Sequence, residues 1–186
     1  MMENFLISSS HLQEGRIWTL VTSVFSHNML FHMMINMFVL RGFGEVMEEI
    51  MGSARFLILY LMAGIAGSLG HCFASTILLQ SPDLPALGAS GAVSGILVTF
   101  SLIFPKHIVY IFGLIPIPAL VATILFIGID SWGLIAQTQG SNIPIGFGAH
   151  LAGALIGFIF WMIILRRSLD PTQMSLTLEV RDKANN

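Results

Sequence analysis

The feature that most restricts this chain is a series of long apolar stretches almost free of charge. A helix that crosses a bilayer needs about 20 mostly apolar residues. Five segments meet that need, roughly 29–47, 56–75, 88–104, 118–135 and 145–165. Of the 186 residues, 55% are hydrophobic and only 10% charged, where a soluble domain carries about a quarter. That balance suits a chain whose solvent is lipid. Backbone groups in lipid must bond within the chain, so the expected fold is an all-α membrane protein, a helical bundle with five spans. Pro116 and Pro118 end one apolar run and open the next, since proline fits a helix's first turn but not its interior. Residues 107–117 are accordingly expected to form an interfacial connector.

Three parts follow along the chain: an exposed loop segment at 1–28, a membrane core at 29–165, and a polar tail at 166–186. Five helices put the two ends on opposite faces. Arg55, Lys106, Arg166, Arg167, Arg181 and Lys183 then share one side, Arg16 lies on the other, and Arg41 sits inside the first span. The excess of positive charge marks the C-terminal side as inner and the N-terminus as outer. An outer N-terminus with neither a secretory signal nor a leading helix implies an upstream span, or a natural start other than this one. A net charge of −2 argues against a nucleic-acid partner, and Cys72 as sole cysteine excludes an intrachain disulfide.

Three motifs carry chemistry. In Gly88-Ala89-Ser90-Gly91-Ala92-Val93-Ser94-Gly95, a serine opens an apolar helix after the polar loop Ser81-Pro82-Asp83-Leu84-Pro85. First-turn amides lack intrahelical partners and sit at the positive end of the helix dipole, where they can hold a developing oxyanion. The alternative is that these small residues only let helices approach. In Gly146-Phe147-Gly148-Ala149-His150, a histidine lies early in the last span. An imidazole in hydrocarbon needs a partner or a wet cavity. A structural histidine bonded to a carbonyl would also satisfy it. Ser90 and His150 enter their helices at similar depth from the same face, which favours a nucleophile–base pair. His32 and Asn36, one helical turn apart, project from one face of the first span, as hydrogen-bond donors in its outer third or as packing groups. His27 reads as structural.

Asp130 is the one acid inside a span away from the inner border. An aspartyl protease needs two such acids. A serine protease here is expected to manage without the acidic member of a triad, with Asp130 anchoring its helix end through a hydrogen bond. No histidine pattern matches a zinc site. No metal or organic cofactor is expected.

Together these segments resemble the rhomboid family of intramembrane serine proteases. The resemblance runs from Gly15-Arg16-Ile17-Trp18-Thr19 through His32-Met33-Met34-Ile35-Asn36, Glu48 and Gly52 to Gly88-Ala89-Ser90-Gly91 and Ala149-His150-Leu151-Ala152-Gly153. It covers nearly all of residues 15–165. It implies that 29–165 is a transmembrane protease domain in which Ser90 and His150 form a catalytic dyad. His32 and Asn36, with amides near Ser90, then form the oxyanion hole. It also implies single-pass membrane-protein substrates. Glu3-Asn4-Phe5 and Thr22-Ser23-Val24-Phe25-Ser26-His27 look most like organellar members. The expected location is the mitochondrial inner membrane, with a bacterial plasma membrane as alternative. The family's first core helix is missing from the residues in hand. Some members place an aromatic four residues after the nucleophile to stack on the base; Ser94 stands there here. A non-catalytic rhomboid-like binder of membrane proteins is the rival reading.

Overall fold

The computed structural model describes residues 2–111 and 113–166. Five long helices fall on the five apolar segments: α3 (Leu30–Met51), α4 (Ser53–Phe73), α5 (Ser90–Ile103), α6 (Ala119–Thr138) and α7 (Phe147–Phe160). Short π-helical turns extend α4 through Ala74–Leu78 and α7 through Trp161–Leu165. With those extensions, the helices 53–78, 119–138 and 147–165 are long and apolar enough to cross a membrane. In α3, Arg41, Glu45, Glu48 and Glu49 crowd the second half of the helix. The 14 residues of α5 rise only about 21 Å, less than the hydrocarbon thickness of about 30 Å.

The expected connector after α5 is an antiparallel hairpin, β1 (Ile108–Ile111) and β2 (Ile115–Pro118), with Ile108 opposite Pro118 and Ile111 opposite Ile115. It is the one departure from an all-α architecture among the described residues. Pro116 and Pro118 forbid a continuous helix, the isoleucines and valine favour extended backbone, and Gly113 takes φ +72° in the turn.

The helix directions alternate, as their contacts show. Gly44 meets Phe56 across α3 and α4, Ala63 meets Gly95 across α4 and α5, and Gly133 meets Phe147 across α6 and α7. Helices α5 and α7 therefore run parallel, Gly91 facing Gly153 and Gly95 facing Gly157. Helix α5 is the bundle's centre, packed on α3, α4, α6 and α7, and Gly91–Ile96 and Val98–Ser101 are buried.

The two halves of the bundle pack differently. Away from Ser90, large side chains fill the core: Met47, Leu59, Ile96 and Leu165 are fully buried, and the Phe100 ring lies 4.8 Å from Phe43 and 5.2 Å from Phe104. Near Ser90, backbone meets backbone. A β-carbon on Gly153 or Gly157 would collide with the carbonyl oxygen of Gly91 or Gly95. Gly146 faces only Ala149 of its own turn. Thr99 Oγ1 bridges the seam to Gly95 O and Gly157 O at 2.8 and 3.0 Å.

Residues 2–28 are more than an exposed loop. They form the short helices α1 (Ser9–Gln13) and α2 (Thr19–Thr22), and Ile7, Ser8, Thr19, Ser23 and Val24 are buried. Ile7 and Ala86 exchange backbone hydrogen bonds of 2.9 and 2.8 Å, and Ser9 N–H donates to Pro82 O at 3.1 Å. Ser10 Oγ donates to Asp83. Ser23 O accepts from Gly88 N–H at 2.9 Å. The segment thus holds the loop that leads to Ser90. The far side of that loop is tied by buried His71, whose Nε2–H donates to Leu84 O at 2.9 Å.

The ends of the helices opposite Ser90 carry Arg55, Lys106 and Arg166. Arg167, Arg181 and Lys183, with nearly all of the expected polar tail, lie outside the described residues. Arg41 pairs with Glu45 one turn on, at 3.5 Å.

Candidate active site

Ser90 is the first residue of α5, behind Ala89 as N-cap. The amides of Ser90, Gly91 and Ala92 stand in the first turn, where a helix offers donors without intrahelical acceptors. Gly88 has φ +125°, and a β-carbon there would press on the His32 ring at 2.6 Å. Glycine therefore both permits the turn into α5 and lets His32 lie against it. Ser94 is buried, and its Oγ donates back to Ser90 O at 2.7 Å, so it does not reach across to the base.

His150 is the fourth residue of α7. Its neighbour Ala149 presents a carbonyl to Gly67 and Gly91, which sets the start of α7 beside the start of α5. The glycines of α4, α5 and α7 allow this approach. The structure thus brings Ser90, His150 and His32 to one end of the bundle. Among the described residues no hydrogen bond joins Ser90 Oγ to His150, and such pairs are often long without substrate.

Asn36 is buried, at 4% exposure. Its partner is His27, whose Nε2 accepts from Asn36 Nδ2–H at 3.1 Å and from Ala89 N–H at 3.4 Å. The His27 ring also meets His32 edge-on, with centroids 5.2 Å apart. His27 was expected to be a structural loop residue; it borders both the Asn36 amide and the N-cap of α5. Both donors point at one nitrogen, so Nε2 must carry the lone pair. Burial, and secondarily the neighbouring His32, hold its pKa below the ordinary value.

Asp130 corrects the sequence reading. It lies within α6 rather than at a helix end, it is 3% exposed, and both carboxylate oxygens stand 3.2 Å from His150 Nδ1. His150 therefore has an acidic partner. One turn earlier on α6, Phe126 stacks on the His150 ring, with centroids 5.8 Å apart and planes 28° from parallel. Phe126, Asp130 and Gly133 lie on one face of α6, and Gly133 leaves the room that the Phe147 ring fills. Neither Phe126 nor the Asp130–His150 pair was found from sequence. The i, i+4 spacing of 126 and 130 was visible, but nothing in it showed which helix the face would meet.

The fold is thus a polytopic helical bundle with a serine at one helix start and a histidine in the first turn of the parallel helix packed on it. The sequence comparisons give the family. The Rhomboid domain model matches residues 14–167, and the chain belongs to the rhomboid family. It is 35% identical over 173 residues to RHOMBOID-like protein 12, mitochondrial, of Arabidopsis thaliana, covering 87% of this chain and 50% of that protein. It is 32% identical over 148 residues to Rhomboid protein 1, mitochondrial, of Saccharomyces cerevisiae, covering 78% and 41%. It is 28% identical over 165 residues to Rhomboid protease GluP of Bacillus subtilis, covering 81% and 26%. The chain thus spans half or less of the length of these relatives. Its kinship is with the mitochondrial, organellar type of rhomboid, an integral membrane protein.

Proposed function

We propose that this chain is an intramembrane serine endopeptidase that cleaves single-pass membrane proteins, acting in the mitochondrial inner membrane. Ser90 Oγ attacks the substrate carbonyl while His150 accepts its proton, and the proton passes on to the leaving amine. The oxyanion is held by first-turn amides of α5 with Asn36 and His32. Water then hydrolyses the acyl-enzyme. The substrate must unwind locally before attack, because a helix keeps its carbonyls in its own hydrogen bonds.

The observation that carries this reading is the glycine-lined approach of α5 and α7, which sets Ser90 beside the turn bearing His150. Membership of a family that includes a named protease supports it. A membrane-protein binder without catalysis would have no use for a buried carboxylate aimed at that histidine.

Ser90→Ala should abolish cleavage of a transmembrane substrate in vesicles and remove fluorophosphonate labelling, with thermal unfolding unchanged. His150→Ala should be as damaging, and the double variant no worse, since residues acting as one unit do not add. Cleavage that persists in purified S90A protein would remove Ser90 as the nucleophile, and absence of both cleavage and labelling in the unaltered chain would leave the binder reading in place.

A further inference from the structure

We infer that α6 is the base-orienting element of this site, with Asp130 and Phe126 together fixing the tautomer and plane of His150. The inference rests on the serine–histidine reading above and adds to it a positioning carboxylate.

A charge in the middle of an apolar helix is expensive. Residues 119–138 contain no other Asp, Glu, Lys or Arg. Asp130 is nevertheless buried there, and both of its oxygens accept from His150 Nδ1–H, at 3.2 Å each. A carboxylate only accepts, so Nδ1 carries the proton and Nε2 keeps the lone pair. That is the tautomer a general base needs toward Ser90. The Phe126 ring, stacked 5.8 Å away, limits rotation of the imidazole about its bond to Cβ. One helix face thus supplies both constraints, while Ser94 bonds within its own helix instead.

The carboxylate also has an electrostatic task. When Ser90 Oγ–H gives its proton to Nε2 and the Oγ–carbon bond forms, His150 becomes an imidazolium and the substrate oxygen an oxyanion. The groups facing His150 are Asp130 and Phe126 from α6, and His32 from α3, close enough for the two imidazoles to repel when charged. Asp130 is the only negative group among them. Its carboxylate offsets the new positive charge where little water screens it.

The test uses the full chain in phospholipid vesicles, with kcat and KM on a transmembrane peptide substrate and the fluorophosphonate labelling rate per folded molecule. Asp130→Asn keeps size and loses charge. It should lower kcat and labelling together by about 10²- to 10⁴-fold, with KM changed less than about threefold. Asp130→Glu should recover part of the loss. Phe126→Leu, which keeps bulk without a stacking ring, should lower kcat by about three- to tenfold, and it carries the test if D130N yields no folded protein. Wild-type kcat and labelling per folded molecule in D130N, or in F126L where D130N does not fold, would overturn the inference. Cleavage by S90A would instead remove the reading beneath it.

Discussion

At the scale of single residues, two polar side chains of the site are held by specific neighbours, Asn36 by His27 and His150 by Asp130. Asn36 is oriented by His27, and His27 must be neutral to accept from it. Its pKa is depressed in the folded chain. The associated stability is therefore fully present above the unfolded value of about 6.5 and is lost as pH falls through the folded value. Thermal unfolding temperature should drop as pH is lowered from about 7 toward 5, and His27→Gln should remove part of that dependence; an identical pH profile in H27Q would refute it. Asn36→Ala should lower kcat by about 10- to 1000-fold, the range for one lost oxyanion donor. A variant with full turnover but poor thermal stability would make Asn36 a packing group. Of these residues, Ser90, His150, His32 and Asn36 were legible because each breaks an apolar pattern at a telling place. Asp130 broke the pattern too, but its partner lies 20 residues away on another helix, and spacing says nothing about which faces meet. His27 was obscured by its loop.

At the scale of elements, the sequence marked the five helices through apolar length alone, because each run is bounded by polar or Pro/Gly residues. It did not mark their pairing. The glycines of α4, α5 and α7 were visible as small residues, yet only the packed bundle shows Gly153 on Gly91 and Gly157 on Gly95. The hairpin at 108–118 escaped because strand signals of four residues are weak beside spans of twenty. Gly153→Leu should force α7 off α5, lower the unfolding temperature by several degrees or more, and abolish labelling of Ser90, since overpacking costs about 1–3 kcal/mol or more. Normal labelling in G153L would show that the seam tolerates bulk. A substitution at Gly128, which has open space around it, should leave both measurements within error apart from helix propensity.

At the scale of the whole molecule, the alternating helices place the start of α5 and the end of α6 on one side and Lys106 on the other. Cysteines introduced at Gln139 and at Lys106, both exposed, should react with an impermeant maleimide from opposite sides of sealed vesicles, while buried Cys72 stays silent. Labelling of both from one side would contradict the arrangement. The tether between residues 7–9 and 82–86 has a consequence for how such a site can drift over generations. The tether is made largely of amides and carbonyls, which every residue type except proline supplies in full. The exposed side chains at 84 and 85 can therefore be exchanged in a lineage without loosening those backbone bonds ahead of Ser90, while Ile7, Ser8 and Ser9 are also held by burial. Proline at 7, 9 or 86 would delete a donor outright. The approach to Ser90 is inherited there in large part as a backbone shape.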